Sequence, residues 1–381
     1  MGIIAWSIPA FLLAIAVEWL LARRRKVEVY RFADTIADLN CGVGSQALGL
    51  PLLVVTVAVY DGVYANYAQL AWAAGDWRLW VLAIVGLDFL YYWWHRASHE
   101  SNLLWAAHVV HHQSEDYNLA VALRQAYFTG ITSTVFYLPL ALLGVPTEVY
   151  LAANAISLLY QFWIHTELID RCPRWFEWLL NTPSHHRVHH AINPQYLDRN
   201  YAAIFMAWDR MFGSFEPEDE RPIYGITQPL DSFNPLWANF HRFAEMGAEA
   251  WRALKVGKVG QALWVWVSHP GWHPASEMQG QSDDPVANGL SGRPKFDVAN
   301  SRAVIAYVWL AMGINVPLTM GLLLVANDLD TLPFAAAVAS LVVAGPSLGG
   351  LIESRPWGVA LEVVRVSATG YALWSIAALM F

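Results

Sequence analysis

Eight apolar stretches limit what this 381-residue chain can fold into: residues 3–22, 41–60, 78–94, 126–144, 147–164, 303–326, 332–350 and 357–379. A helix needs roughly 20 apolar residues to cross the hydrocarbon core of a bilayer, so the sequence reads as a multi-pass membrane protein. Several stretches are close to the lower limit, and 126–164 suits a helical hairpin turning at Gly144-Val145-Pro146. Charge agrees with this reading: 14% of the residues are charged, against about a quarter in soluble domains. The net charge is -8 and no basic tract exists beyond Arg23 to Lys26, which excludes a disordered or nucleic-acid-binding chain. Cys41 and Cys172 supply neither a disulfide framework nor a four-thiolate iron–sulfur site.

Orientation follows from the basic residues. Arg23, Arg24, Arg25, Lys26 and Arg31 trail the first stretch, which assigns that loop to the cytoplasm. Alternation then places 95–125, 165–302 and 351–356 on the same side, while the opposite loops 61–77, 145–146 and 327–331 carry no Lys or Arg. Four regions are expected: an N-terminal anchor region (1–77), a histidine-rich region (78–235), an interfacial helix with a polar connector (236–302) and a C-terminal transmembrane region (303–381). Over 236–256 one helical face gathers Leu236, Phe240, Phe243, Gly247, Ala250, Trp251 and Leu254. That pattern fits a helix in the membrane interface and equally a surface helix on a cytosolic domain.

Ten of the 13 histidines fall between His95 and His190. Three clusters stand out: His95 with His99 (HxxxH), His108 with His111 and His112 (HxxHH), and His186 with His189 and His190 (HxxHH). Residues at i, i+3 and i+4 share a helix face, about 5–6 Å apart, so three short helices aim eight imidazoles inward. His165 stands alone at the cytoplasmic end of the fifth stretch. Neutral imidazole suits iron, zinc or copper, and eight or nine exceed what one ion uses, so two metal ions are implied. One HxxxH pair is weak evidence, being as often a polar helix face. Three clusters at the ends of apolar spans mark a functional site. His185 is i, i+4 to His189 but follows Pro183-Ser184 at a helix start, and it stays ambiguous. His241, His269 and His273 lack the spacing of ligands. Other metal chemistries fit less well, since HExxH is absent, as is the paired Glu-x-x-His of carboxylate-bridged centres. A two-histidine haem site would leave most clusters unexplained.

These residues resemble the membrane-bound fatty acid hydroxylase/sterol desaturase superfamily and, within it, the alkylglycerol monooxygenase family. The matching stretches are His95 to Glu100, His108 to Asn118, Ala122 to Gln125, Thr182 to His190, Asp198 to Tyr201, Trp208 to Gly213 and Tyr224-Gly225. The resemblance implies an all-α polytopic transmembrane bundle, with a cytoplasmic histidine-rich helical cap holding a di-metal site. It implies two Fe ions on His95, His99, His108, His111, His112, His186, His189 and His190, with His165 as an additional ligand. Glu100 and Asn118 are carried over as catalytic-site residues, Glu100 as the acceptor of a ligand N–H or else an exposed carboxylate. Arg124, Asp198 and Asn200 belong to the same signature, as ligand-orienting or helix-capping residues.

The expected activity is O2-dependent hydroxylation of a lipid C–H bond, with tetrahydrobiopterin as reductant and ether-lipid cleavage as the outcome. The expected partners are a membrane lipid and an external electron donor or pterin-recycling system. A desaturase or hydroxylase of sterol, carotenoid or fatty acyl chains would use the same ligands. A membrane metal-handling protein is the non-enzymatic alternative; it would place ionisable groups mid-span, where Asp88, Glu362 and Arg365 are the main candidates.

Overall fold

The computed structural model describes residues 2–73, 75–272 and 293–380. His273 and most of the polar connector lie outside them. Among the described residues the regular structure is helical, with two isolated β-bridges. Four helices are long and apolar enough to cross a membrane: α1 (Gly2–Arg25), α2 (Phe32–Tyr67), α12 (Arg302–Val325) and α13 (Thr331–Ile352). The remaining expected stretches form α3 (Trp77–Glu100), a hairpin of α5 (Thr129–Leu142) and α6 (Thr147–Trp163), and α14 (Pro356–Met380). With 14 and 17 residues, α5 and α6 are too short to cross a full hydrocarbon core unaided. Short helices carry the polar middle: α4 (Asn102–Ala106), α7 (Arg174–Leu179), α8 (Pro183–His189), α9 (Ala207–Phe212), α10 (Pro235–Lys255) and α11 (Val259–Trp264).

Helix α2 departs from its expected length. Its apolar stretch starts at Cys41, yet the helix starts at Phe32 and has 36 residues, about 54 Å at 1.5 Å per residue. Asp34, Asp38 and Asn40 do not stop it because the protein buries them. Asp38 pairs with Arg124 at 3.0 Å, and Asp34 accepts from Ser114 and the Asp116 amide. The start of α2 is therefore a polar pillar beside the histidine region rather than part of the apolar span.

The charges expected mid-span all find local partners. Asp88, fully buried on α3, accepts from the amides of Ile204 and Phe205 at 2.8 and 3.0 Å and from the Trp208 indole at 2.8 Å. One carboxylate thus ties α3 to the segment entering α9, where a helix N-terminus favours negative charge. Glu362 accepts from Arg365 and Ser347, each at 2.7 Å, and from Tyr307, while Arg365 also reaches Asn315. This network clamps α12, α13 and α14 together, and α13 and α14 meet closely where a Cβ on Gly358 would lie 2.6 Å from Gly350.

Helix α10 is inverted relative to a water-soluble helix. Arg242 and Glu249 are buried, whereas Leu236, Trp237, Phe240, Trp251 and Leu254 are exposed. Its large apolar side chains thus face outward, and Arg242 and Glu249 face the rest of the protein.

The hairpin turns where the sequence placed it. Gly144 has φ +75, and a Cβ there would lie 2.0 Å from the Leu70 carbonyl oxygen. Gly144→Ala is therefore expected to lower the thermal midpoint of the detergent-solubilised protein, through a left-handed conformation that costs about 1 kcal/mol or more and a clash with backbone.

Candidate metal centre

All nine expected histidines converge in one buried cluster. They divide into two sets, His95, His99, His108, His112 and His189 in one and His111, His165, His186 and His190 in the other, with the candidate donor atoms of each set within 4.8 Å of one another. The division follows helical geometry. Consecutive residues on a helix point about 100° apart, while i and i+4 share a face. Accordingly His95 with His99 on α3 and His186 with His190 at the end of α8 stay together, and His108 with His112 does so across a 3-10 turn. His111 and His189, at the i+3 position of their triplets, go to the other set. Eight motif histidines so divided make five and three, and His165, leaving the end of α6, supplies the fourth.

The backbone around the cluster fixes which imidazole nitrogens face inward. His95 Nδ1 donates to the Tyr201 carbonyl at 2.7 Å, His111 Nδ1 to Arg124 at 3.1 Å, His165 Nδ1 to Gln161 at 2.8 Å and His189 Nδ1 to Arg199 at 2.9 Å. With the proton held at Nδ1, the Nε2 lone pair is turned toward the centre, the arrangement of metal-bound histidines. Burial pushes His111 down to about 4. It also holds His108, His112, His165, His186, His189 and His190 well below the ordinary histidine range, helped by neighbouring imidazoles. Neutral rings leave a contact that hydrogen bonding cannot explain. His111 and His165 have both committed Nδ1–H to carbonyls, yet their Nε2 atoms lie 3.2 Å apart. Two lone pairs at that distance repel unless a cation lies between them. Two cis ligands each about 2.1 Å from one metal are roughly 3 Å apart, so the donor set fits a metal ion. Buried His99 Nε2 and His189 Nε2, without hydrogen-bond partners, fit the same reading.

The comparisons agree with this geometry. The fatty acid hydroxylase family model matches residues 80–214. The chain is similar to an alkylglycerol monooxygenase of Danio rerio, 38% identical over 94% of this chain and 79% of the relative. A Homo sapiens alkylglycerol monooxygenase is 34% identical over 94% of this chain and 78% of its own length. The chain belongs to the alkylglycerol monooxygenase family. An ornithine lipid hydroxylase of Rhizobium tropici is also similar, 29% identical over 39% of this chain and 45% of the relative. No solved structure matches the chain.

The residues around the histidines separate the readings that the sequence left open. Glu100 is not seated on a ligand N–H; its carboxylate accepts from Arg96 at 2.8 Å and is 49% exposed. Asp198 takes that place at His99, with Oδ1 3.4 Å from Nδ1 and its other oxygen 3.3 Å from His269. Burial opposes ionisation of Asp198, but hydrogen bonds from His269 and His99 hold its carboxyl below the usual range. Asn118 is a loop fastener, donating to the Val29 carbonyl and accepting from the Ala120 amide. Asn200 similarly ties the His185 carbonyl to Glu216. His185 itself stays outside both sets, with Nδ1 3.3 Å from the Thr182 hydroxyl.

Arg124 does more than cap. Its carbonyl holds His111, while its guanidinium reaches the Val110 carbonyl at 2.7 Å, Asp38 at 3.0 Å and Gln113 at 3.1 Å. The carbonyls of Gln161, Arg199 and Tyr201 escaped the sequence reading because a backbone acceptor leaves no residue-type signal. Asp198 was legible only as part of a signature, its partner 99 positions away.

Two cavities reach the cluster. One of about 290 Å³ runs among α1, α2, α5 and α6, with Ile4, Phe11, Leu52, Leu53 and Phe162 in its wall, and ends at His108, His111 and His165. The other, about 390 Å³, ends at His99, His112, His189 and His190.

Proposed function

We propose that this chain is an O2-dependent monooxygenase of membrane lipids, holding two irons on its two histidine sets and cleaving alkylglycerols by hydroxylation beside the ether oxygen. Hydroxylation there gives a hemiacetal that falls apart to an aldehyde and glycerol. The observation that carries the metal reading is the His111–His165 contact, in which two fixed lone pairs face one another. Iron and the ether-lipid substrate rest on the family. When bound, the iron pair would supply O2 activation and an oxidant able to break an unactivated C–H bond.

The chain's own residues do the rest. His95, His99, His108, His112 and His189 would hold one ion and His111, His165, His186 and His190 the other. The carbonyls at Tyr201, Arg124, Gln161 and Arg199 keep each ring in its ligating tautomer. The cavity among α1, α2, α5 and α6 would take the alkyl chain beside the spanning helices and bring it to His108, His111 and His165. The Lys/Arg asymmetry of the loops supports a site facing the cytoplasm, where an external donor or a pterin-recycling system meets it. The similarity to an ornithine lipid hydroxylase supports a second reading, hydroxylation of an acyl chain at the same centre.

Metal analysis of the purified protein together with product analysis on alkylglycerol, sterol and acyl lipid, with and without tetrahydrobiopterin, tests both. Two irons per chain and pterin-dependent aldehyde release are expected. Product from the acyl lipid alone would select the second reading, and fewer than two metals would sink the di-iron assignment.

A further inference from the structure

Four consecutive residues, 198–201, serve three members of the five-histidine set. The Asp198 carboxylate meets His99, the Arg199 carbonyl holds His189 and the Tyr201 carbonyl holds His95. The Tyr201 ring packs on the same three imidazoles, at 5.8 Å from His95, 5.3 Å from His99 and 6.0 Å from His189. To aim its groups this way the chain takes φ of +58 at Asp198 and +56 at Asn200. Asp and Asn tolerate that left-handed conformation better than other side chains, and it persists only where the surroundings fix it.

Asp209 does the fixing, although it hydrogen-bonds to no histidine itself. Fully buried on α9, its carboxylate accepts from the Tyr201 and Ala202 amides, each at 2.8 Å, and from the Ser214 hydroxyl at 2.7 Å. The Ser214 carbonyl accepts from the Asn200 amide at 3.0 Å. A peptide unit is planar, so the Ala202 N–H and the Tyr201 carbonyl turn together, as do the Asn200 N–H and the Arg199 carbonyl. Asp209 and Ser214 therefore hold the far ends of the two peptide planes whose carbonyls orient His95 and His189. The four-histidine set rests elsewhere, on the carbonyls of Arg124 and Gln161. Among the described residues, 198–201 neither hydrogen-bond nor stack with any of its members.

Resting on the two-metal reading above, we infer that Asp209 is a positioning residue for the ion of the five-histidine set alone. The two ions then sit on separate scaffolds, and either can be lost while the other stays.

The test uses the detergent-solubilised full chain loaded with Co(II), whose visible absorption reports the ligands of each ion. Asp209→Asn keeps the shape of the side chain but turns an NH2 group toward one of the two backbone amides. It is expected to weaken one of the two Co(II) sites by about tenfold or more and to remove one set of bands. His165→Ala is expected to remove the other set, and the double variant both. Ser214→Ala leaves the carboxylate on both amides and is expected to weaken the same site as Asp209→Asn by about threefold; it decides the matter if Asp209→Asn does not fold. Wild-type affinity at both sites, equal weakening of both, or loss of the bands that His165→Ala removes overturns the inference. A wild-type chain that takes up a single Co(II) removes the two-metal reading and the inference with it. The expected split in a chain without oxygenase activity would leave the inference standing and remove the activity proposed above.

Discussion

Replacing His165 with alanine is expected to cost more than about 100-fold in turnover and to lower bound metal toward one ion per chain, since even removing a partner of a ligand costs 10–100-fold. His165 lies outside the three motifs, so this variant separates a nine-histidine centre from an eight-histidine one. The geometry says why the effect is large. The eight motif histidines divide five to three, and without His165 the second set keeps only His111, His186 and His190. The His165 ring also lies 3.2 Å from His111 and 3.0 Å from His186, nitrogen to nitrogen. Its removal opens the middle of that set rather than its rim. Measuring iron and rate on the same preparation decides the matter. Full metal content with wild-type turnover would make His165 a bystander.

The second large effect is on stability. Arg124→Met leaves Asp38, which is fully buried, without its ion-pair partner at 3.0 Å, and removes the charge 3.9 Å from Asp34. Breaking one side of a buried pair costs about 3–5 kcal/mol. The thermal midpoint in detergent should fall sharply, and metal content with it, because the same residue's backbone orients His111. Arg124→Lys keeps the charge but loses the planar fork that spans Val110, Asp38 and Gln113, so partial loss is expected. Adding Asp38→Leu to Arg124→Met should recover stability, since an apolar pair avoids the stranded charge. A single variant as stable as wild type would show that the pair contributes little.

What could be read in the sequence is what periodicity encodes. The HxxxH and HxxHH spacings gave eight of the nine histidines, because i, i+3 and i+4 positions lie close together in any helical turn, and His165 came from the resemblance. The spacing alone did not say that His111 and His189 cross to the opposite sets. The Val109–His112 segment is a 3-10 turn rather than an α-helix, a distinction with no residue signature. The hairpin was legible at Gly144 because its backbone demands glycine. The start of α2 was not, since Asp34 and Asp38 look like span breakers until Arg124 arrives from elsewhere in the chain. Of the two readings of Glu100, the structure has the exposed carboxylate. Adjacency to a ligand in sequence put it next to His99, while one turn of helix gave it to Arg96 and left Asp198 to meet the ring.

The four carbonyls that orient His95, His111, His165 and His189 belong to the main chain. No change of side chain can delete a carbonyl, so the alignment of these rings is largely insulated from point mutation. Inactivating substitutions in a saturation library should therefore concentrate at the histidines and at the anchors that hold the carbonyl-bearing loops, Asp88 and Arg124 among them. Position 199 should accept a broad range of side chains, whereas Gln161 also holds the Tyr91 hydroxyl through its own side chain. The catalytic geometry is thus inherited through the path of the chain more than through its lettering.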